Sequence, residues 1–527
     1  DLGANVRQKA KNISNLLSDP AHLQEERRAR EVMRNRMIRG HNSEHGEDDE
    51  DRGHAPPPGT SSRKNRGADS DEEECHELYA ADGETALVDA RKPITICEHL
   101  QLSSLAIQPS SIGFQNETLN YPCALGFIMM SQTLTLESDH FICVREKVNE
   151  QNQVVIIDLA DANNVLRRPI SADSVIMHPH KKILAFKGDV MCTMQRRELL
   201  NPPTLAARTL KIFNIETKQI VKSHVNTEVV VFWKWVSDTT IGMVTDTTMY
   251  HWTIADQTSP PQKVFDRHPT LADAQIINYR VTADERWLVL VGIALNTTNP
   301  SAFKVKGAMQ LFSRDGGVSQ PIEGHAASFA ELKLDGHQNV TKLFTYAVRT
   351  TAGAKLHVVE INHTAPDPVF VKKAVDVFSP PEAPNDFPVD MQVSKKHGII
   401  FLVTKYSFIH LYDLDSGTCV YMNRISGDTI FVTAEHEATN GIIGVNKKGQ
   451  VLSVSIDEQT IIPYILSTLN NRELAFKLAS RANLPGADDL YIKQYQKLFS
   501  SGQYSEAAKV AANSPRGILR TAQVIES

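Results

Sequence analysis

The sequence predicts a mainly β protein, in which a seven-bladed β-propeller is followed by the start of an α-solenoid and preceded by a short helical and disordered extension. Three observations lead to this prediction. The stretch Glu228–Ile254 holds three of the chain's four Trp residues and alternates apolar and polar side chains over three expected strands of one antiparallel sheet. Comparable strands recur along the middle of the chain. Helical periodicity takes over after Asp457.

The recurring strands set the expected number of blades. They lie at Val154–Asp158, Lys211–Glu216, Met249–Ile254, Met309–Ser313, Lys355–Ile361, Ile409–Asp413 and Val451–Ile456. Their spacing is mostly about 40 to 60 residues, the period of propeller blades rather than of helical repeats. Each strand is expected to close its unit, so these strands imply about seven blades over residues 93–457. Closing a ring leaves only short, protected strand edges. A tandem of β-sandwiches is the structural alternative.

The regions on either side of the expected propeller have different compositions. Residues 1–40 predict two helices, separated by the stop signal Ser18-Asp19-Pro20. Residues 41–92 carry acidic runs and few apolar side chains, which predicts a disordered acidic linker. Residues 458–527 predict short helices that begin an α-solenoid. These helices are expected at Ile461–Leu469, Leu474–Ala482, Leu490–Phe499, Tyr504–Ala512 and Ile518–Ile525.

The composition and the motifs argue against several classes of function. The formal net charge of −6 gives no general basis for binding nucleic acid or an anionic membrane. The six Cys residues form no C-x-x-C pair, which argues against a zinc site and a secreted disulfide framework and favours a reducing cytosol. His436-Glu437 begins a zincin-like motif, but Asn440 stands where the second His is needed. We therefore expect no enzymatic activity, no metal and no cofactor. The grooves between blades remain as surfaces that can take an extended peptide.

Several segments closely resemble the clathrin heavy-chain family. They include FWKWVSDTTIGMVTD, SQPIEGHAASFAEL, FIHLYDLDSGTCVYMNRISGDTIFVTAEHEATNGIIGVNKKGQVLSV and SEAAKVAANSPRGILRT, within a resemblance that covers residues 93–527. The resemblance implies a coat scaffold without enzymatic activity, whose propeller captures adaptor peptides and continues through a helical linker into the clathrin leg. It also implies light chains and other heavy chains as partners of the full-length protein. The implied location is cytoplasmic, at the cytoplasmic face of coated pits and coated vesicles.

The resemblance also implies specific peptide sites. In the family, clathrin-box peptides, which combine bulky apolar residues with an acid, bind between the first two blades. Matched by motif, that groove consists here of Ile156, Leu166, Arg168, Leu184, Thr209, Lys211, Phe213 and Lys218. Lys211 and Ile220 stand where the family commonly has Gln and Lys. A second site, on top of the propeller, maps to Phe114, Gln275 and Ile277, a third to Trp287, Leu311 and Gln320, and a fourth groove includes Glu98.

Three segments depart from the family pattern. Residues 116–132 and 188–207 interrupt the resemblance, and we interpret them as translated introns, with genuine loop insertions as the alternative. The first flanks Phe114 and the second abuts Thr209. The words GANVRQKAKNISNLLSDPAHLQEERRAR resemble the last helices of the epsin N-terminal homology domain, a membrane-binding module of endocytic adaptors. An alternative function is therefore a lipid-binding endocytic adaptor, although the family's phosphoinositide-binding residues lie in helices that have no match here.

Overall fold

The computed structural model describes residues 134–148, 151–160, 165–170, 172–188, 209–295, 305–334, 337, 339–361, 368–447 and 449–526. All of them belong to one unit of the chain, Asp71–Ser527. Everything predicted for residues 1–133, including Glu98 and Phe114, and for the insertion at 189–207 lies outside the described residues. Those statements stay predictions, as do the domain boundaries.

The described chain from Leu134 to Val454 forms seven antiparallel sheets, which we call blades 1 to 7. Strands follow one another in chain order within every blade, with four strands in blades 1 to 6 and three in blade 7. Blade 1 contains β1 Leu134–Thr135, β2 Phe141–Val148, β3 Gln151–Asp158 and β4 Val165–Pro169, and blade 2 contains β5 Ser174–Met177, β6 Ile183–Lys187, β7 Thr209–Asn214 and β8 Gln219–Val225. Blade 3 contains β9 Phe232–Ser237, β10 Thr240–Val244, β11 Thr248–Thr253 and β12 Gln262–Asp266, and blade 4 contains β13 Gln275–Val281, β14 Trp287–Leu295, β15 Val305–Ser313 and β16 Val318–Glu323. Blade 5 contains β17 Ala326–Lys333, β18 Val340–Thr350, β19 Gly353–Glu360 and β20 Lys373–Val377, blade 6 contains β21 Pro388–Ser394, β22 Ile399–Thr404, β23 Phe408–Asp413 and β24 Cys419–Arg424, and blade 7 contains β25 Ile430–His436, β26 Gly441–Asn446 and β27 Val451–Val454.

Apolar clusters join each blade to the next and close the ring. Leu134 and Val155 of blade 1 pack in one buried cluster with Ile443 and Val445 of blade 7. Equivalent clusters lie between all the other neighbouring blades. Contact between the first and last blade is what a propeller requires and a row of sandwiches does not. The predicted seven-bladed propeller is confirmed, and the tandem sandwich is excluded.

The Trp-rich stretch forms the first three strands of blade 3, as its pattern predicts. Ile241 in the middle strand pairs with Trp235 on one side and with Trp252 on the other. Trp233, Trp235 and Trp252 are all buried in the apolar cluster between blades 2 and 3. Their indole rings are therefore part of the propeller core, because they fill the space between two sheets.

Six of the seven recurring strands do not close their blades as predicted. All seven correspond to the third strand of each blade, from β3 to β27, and a fourth, outer strand follows in blades 1 to 6. The prediction is wrong here because outer strands are only half covered and carry a weak apolar pattern. In β16, for example, no residue from Val318 to Glu323 is buried. A strand of this kind gives little periodic signal in the sequence.

Helices follow the propeller: α1 Ile461–Ser467, α2 Arg472–Ala482, α3 Asp488–Ser500, α4 Tyr504–Ala512 and α5 Ala522–Glu526. The side chain of Asn471 caps α2 by accepting a hydrogen bond from the Leu474 N–H at 3.0 Å, and left-handed Asn483 ends it. The helix predicted at Ile518–Ile525 is wrong at its start. Arg516 and Gly517 adopt φ values of 55° and 69° within a turn, so the helix begins only at Ala522.

The first helices pack on blades 6 and 7. Ile461, Ile465 and Leu478 share a buried cluster with Phe401 of blade 6 and Ile442 of blade 7. Arg481 of α2 pairs with Asp413 of β23 and donates from Nε to the His397 carbonyl at 2.9 Å. The helical segment is thereby tied to the propeller by apolar contacts and by a charged pair. None of the described helices is long and apolar enough to cross a membrane.

Candidate functional site

The apolar residues predicted for the first groove lie together at the interface of blades 1 and 2. Ile156 on β3 pairs with Leu166 on β4, and Leu184 on β6 pairs with Phe213 on β7. All four belong to one cluster, in which Ile156 and Leu184 are buried while Leu166 and Phe213 are only partly covered. The covered pair lies toward the middle of each blade and the half-exposed pair lies at or near its outer strand. The two blades are therefore in tight contact at Ile156 and Leu184, and Leu166 and Phe213 form a partly exposed apolar rim outside that contact.

The polar residues of the same groove surround this rim. Thr209 and Lys211 alternate with buried residues along β7 and are half-buried. Arg168 and Lys218 are exposed, and neither forms an ion pair with any of the described residues. Lys218 lies in the β7–β8 turn with a left-handed φ of 56°. Asn214 Oδ1 holds this turn by accepting hydrogen bonds from the N–H groups of Glu216 and Thr217 at 2.9 and 3.1 Å.

The outer strand β8 adds two exposed apolar residues to the groove. Ile220 pairs with Phe213 and Val225 pairs with Thr209, so both lie on the face that turns toward blade 1. Their exposed fractions are 57% and 50%. The sequence predicts Ile220 only as a departure from the family, and Val225 is not among the predicted groove residues. A shift in register between Ile212 and Phe213 turns Ile220 to this face, because regular pairing would place Val221 beside Phe213.

The second insertion leaves the strands on both sides of it in register. Residues 189–208 are not among those described, but β6 and β7 pair from Ile183–Asn214 to Lys187–Leu210. The Gly188 N–H also donates to the Thr209 carbonyl at 2.9 Å. The chain therefore leaves blade 2 and returns to it at the same end of one hairpin. Thr209, a predicted groove residue, is the point of return.

The structure describes part of the second predicted site. Gln275 and Ile277 lie two positions apart on β13, the first strand of blade 4, so they share one face of that strand. Ile277 packs partly against the cluster of Ile293, Val305 and Phe387. The Gln275 side-chain oxygen is buried and has no hydrogen-bond partner among the described residues. Phe114, the third member, lies outside them.

The third predicted site is assembled on blade 4, facing blade 5. Leu311 on β15 pairs with Gln320 on β16 and with Val289 on β14. Trp287 is partly buried against the cluster that contains Leu311, Ala327 and Phe344. Gln320 is exposed on the outer strand. These three side chains therefore line one interblade edge. Glu98, which marks the fourth groove, is not among the described residues.

A cleft that the sequence did not predict opens between blades 3 and 4, with a volume of about 480 Å³. Its lining includes His251, Thr253, Glu285 and Arg314. Arg314 donates to Glu285 Oε2 at 3.0 Å and lies 3.2 Å from His251 Nδ1. Burial, reinforced by Arg314, lowers the pKa of His251 to about 4. The charged side chains of this cleft have partners, whereas Arg168 and Lys218 have no ionic partner within the described part of the chain. We therefore place the candidate peptide groove between blades 1 and 2.

Comparison with known proteins identifies relatives of the propeller and helices. The family described as clathrin propeller repeat matches residues 380–415 and 423–457, the clathrin heavy-chain linker matches 458–481, and Clathrin-H-link matches 483–527. The chain is 54% identical over 438 residues to a clathrin heavy chain of Drosophila melanogaster, covering 82% of this chain and 24% of that protein. It is 50% identical over 435 residues to clathrin heavy chain 2 of Homo sapiens and 48% identical over 434 residues to a probable clathrin heavy chain of Schizosaccharomyces pombe. Each of these matches covers 82% of this chain and 24% of the relative.

The chain thus spans about a quarter of the length of the curated relatives that it matches. The matches favour the reading based on the propeller over the alternative of a lipid-binding adaptor. That alternative depends on residues 1–40, which are outside the described part of the chain.

Proposed function

We propose that the propeller captures short adaptor peptides as part of a structural, non-enzymatic vesicle coat. The premise is that this chain belongs to the clathrin heavy-chain family and carries its N-terminal region. The proposed setting is the cytoplasmic face of coated pits and coated vesicles, in endocytosis and vesicle-mediated transport. Association with light chains and with other heavy chains is proposed for the full-length protein, since this chain spans only 24% of its relatives.

One observation carries the proposal: blades 1 and 2 leave an apolar rim flanked by two cations that have no ionic partner among the residues that the structure describes. Leu166 and Phe213 are partly covered, and Ile220 is 57% exposed. Arg168 and Lys218 lie on the outer strand and the outer turn of the two blades. An extended peptide with bulky apolar residues and a carboxylate complements this arrangement in shape and charge.

The proposed mechanism depends on many weak contacts. Apolar peptide side chains displace water from Leu166, Phe213 and Ile220, and the peptide carboxylate approaches Arg168 and Lys218. Exposed ion pairs contribute little, with a median of about 0–1 kcal/mol, so the apolar contacts supply most of the affinity. A single groove is therefore weak. Multivalent engagement raises overall avidity by 10²–10⁴-fold when many legs meet many adaptors on one membrane.

Calorimetric titration with a leucine-rich acidic clathrin-box peptide tests this function. We expect the wild-type chain to bind in the low-affinity range and Phe213→Ala combined with Lys218→Glu to lose binding, because the double variant removes an apolar contact and reverses a charge. The matched control is Val264→Ala combined with Lys263→Glu at the rim of blade 3, which should bind like wild type. Equal binding by wild type and the groove variant would reject the assignment of the site.

The second and third sites are proposed as additional peptide sites of lower rank. Gln275 and Ile277 form part of the second, and Trp287, Leu311 and Gln320 form the third. Their support is the shared face of β13 and the edge between blades 4 and 5. Peptides that bind there should still bind the Phe213→Ala/Lys218→Glu variant, which separates these sites from the first groove.

A further inference from the structure

A cluster of imidazoles and carboxylates lies at one end of the propeller, and it includes none of the predicted site residues. His140 lies in the β1–β2 turn, His178 and His180 lie in the β5–β6 turn, and Asp238 lies in the β9–β10 turn. Each of these turns joins the first and second strands of its blade. The turns of blades 1, 2 and 3 therefore meet at the same end of the ring. The scattered cysteines of the sequence give no hint of this cluster.

A hydrogen bond and a ring contact join the two turns of blades 1 and 2. Ser138 Oγ, beside Asp139 and His140, donates to the Pro179 carbonyl of the β5–β6 turn at 2.5 Å. The imidazole rings of His140 and His180 have centroids 5.0 Å apart and lie nearly perpendicular at 82°. Their side chains are 47% and 39% exposed, so water and small ions reach both.

His178 holds the turn in place, and both of its ring nitrogens already have hydrogen-bond partners. It is fully buried, and its ring lies 4.6 Å from the Trp235 ring. Its Nε2 lies 2.8 Å from the Asp238 carbonyl oxygen. Its Nδ1 accepts hydrogen bonds from the N–H groups of His180 and Lys181, both at 3.0 Å. His178 thus fixes the backbone from which His180 projects.

The two exposed imidazoles differ from His178 because, among the described residues, each has a ring nitrogen without a hydrogen-bond partner. His180 Nδ1 lies 2.6 Å from Asp238 Oδ1, a pairing that leaves Nε2 as its ligand atom. A carboxylate on the second nitrogen is the usual support of a metal-binding histidine, since it fixes the tautomer and raises the basicity of the ring. Asp139 lies beside His140, at 3.9 Å from its Nε2, and accepts the Glu437 N–H at 2.9 Å.

We propose that His140 and His180 together bind one zinc ion, with water completing its coordination. Imidazole nitrogens bind zinc at about 2.0–2.1 Å, so two rings on one tetrahedral ion have centres roughly 5 Å apart, as these rings do. Magnesium and calcium prefer sites built from oxygen ligands, whereas imidazole suits zinc. No group of three or more His, Cys, Asp and Glu side chains in the described residues forms a metal cage. The proposed site is therefore an open, two-ligand site.

The bound ion would connect blade 1 to blade 2 at one end of their interface. The β5–β6 turn is also linked to the turn that carries Lys218, since the Ile215 N–H donates to the Lys182 carbonyl at 2.9 Å. Zinc thereby stabilises the two blades whose outer strands form the proposed peptide groove. The proposal stands independently of peptide binding, because none of its ligands belongs to that groove.

Titration of the full chain with zinc sulfate, after treatment with EDTA and desalting, tests the proposal. We expect His140→Ala and His180→Ala each to weaken the tightest zinc binding at least tenfold. The double variant should bind no more weakly than either single variant, because removal of one ligand already removes the chelate. Asp238→Asn should weaken binding about tenfold while leaving both ligands in place.

Two controls separate this site from others. The chain contains 19 His residues and six Cys residues, so zinc uptake elsewhere is the background against which the variants are compared. His337→Ala removes an exposed histidine outside the cluster and should bind zinc like wild type. Zinc should raise the melting temperature of wild type and of the His337 variant but not that of the His180 variant, whose metal-free melting temperature should equal that of wild type. Equal zinc affinity in wild type and both single variants would overturn the proposal, as would additive losses in the double variant.

Discussion

The two faces of blade 2 differ in how completely their apolar side chains are buried against the neighbouring blade. The face toward blade 3 packs Trp233, Trp235 and Trp252 into a cluster that extends to the outer strand. Lys222 of β8 is buried there and donates to the carbonyls of Thr253 and Asp256 at 2.7 and 2.5 Å. Its ammonium group also lies 5.5 Å from the centre of the Trp252 ring. The outer strand of blade 2 is thus fastened to blade 3.

At the rim of the opposite face, toward blade 1, the described residues include no comparable buried cation or Trp ring. Phe213 is partly covered, Ile220 is 57% exposed and Val225 is 50% exposed. The same β-strands therefore supply a structural contact on one side and an open apolar surface on the other. Both faces belong to the same four-stranded sheet, so the strands themselves do not explain the difference. The groove lies on the face whose outer strand contributes no buried cation and no packed indole ring.

The largest expected effect concerns the sealed face. Trp252→Ala should lower the free energy of unfolding in urea by about 3–5 kcal/mol, because it removes a fully buried indole and leaves a cavity. Phe213→Ala on the open face should cost only about 1–2 kcal/mol, since its ring is partly exposed before the change. Equal losses for the two variants would contradict the contrast between the faces.

A pH effect of intermediate size concerns a carboxyl of blade 1 that reaches the Trp-rich sheet of blade 3. Glu137 follows β1 of blade 1, yet it accepts a hydrogen bond from the backbone N–H of Trp235 in blade 3. Burial raises the pKa of its carboxyl from 4.5 to about 7, while nearby Lys234 and that hydrogen bond lower it. A carboxyl with a raised folded-state pKa stabilises the fold fully below pH 4.5, and this contribution is lost as pH rises through 7.

Between pH 5 and pH 8 the wild-type chain should therefore lose about 2 kcal/mol more stability than Glu137→Gln, which stays neutral. Urea denaturation of both proteins at the two pH values measures the difference. The amide variant keeps the shape of the side chain and serves as its own control for packing. Parallel stability profiles for the two proteins would show that the folded protein does not keep the Glu137 carboxyl neutral.

The smallest expected effect compares peptide binding by a matched pair of variants. Leu166 is partly covered on the face toward blade 1, and Val221 is partly covered on the face toward blade 3. Leu166→Ala should weaken binding of the clathrin-box peptide about tenfold, or about 1.4 kcal/mol, because it removes an apolar contact with the ligand. Val221→Ala should leave the dissociation constant within about twofold of wild type. A larger effect at Val221 would place the peptide on the sealed face.

Much of the fold follows from local patterns in the sequence. The alternation around Trp233 and Trp235 predicts three strands, and β9, β10 and β11 form there in one sheet. The four helices predicted between Ile461 and Ala512 appear with shifts of a few residues. The fourth strands of the blades gave no comparable signal. Their side chains are half exposed, as in β16, so apolar periodicity is weak in the strands that form the rim.

In the candidate site, too, some residues were predicted from the sequence and others were found only in the structure. Ile156, Leu166, Leu184 and Phe213 were named from a family resemblance, and the fold gathers them in one cluster. The peptide role of that cluster stays a proposal. Ile220 and Val225 join the same face only through the register of β8, which shifts between Ile212 and Phe213. A shift of one residue moves a side chain to the other face of a strand, and no property of the residues themselves records it.

The sequence by itself determined the number of blades, the buried Trp-rich sheet and the change to helices, because periodicity over a few residues fixes which side chains need burial. Tertiary structure alone decided which face of blade 2 stays open, and it brought His140 within 5.0 Å of His180 from another blade. Those relations join residues that are distant in the chain. They arise from the closure of the ring and from strand register, which local chemistry does not specify.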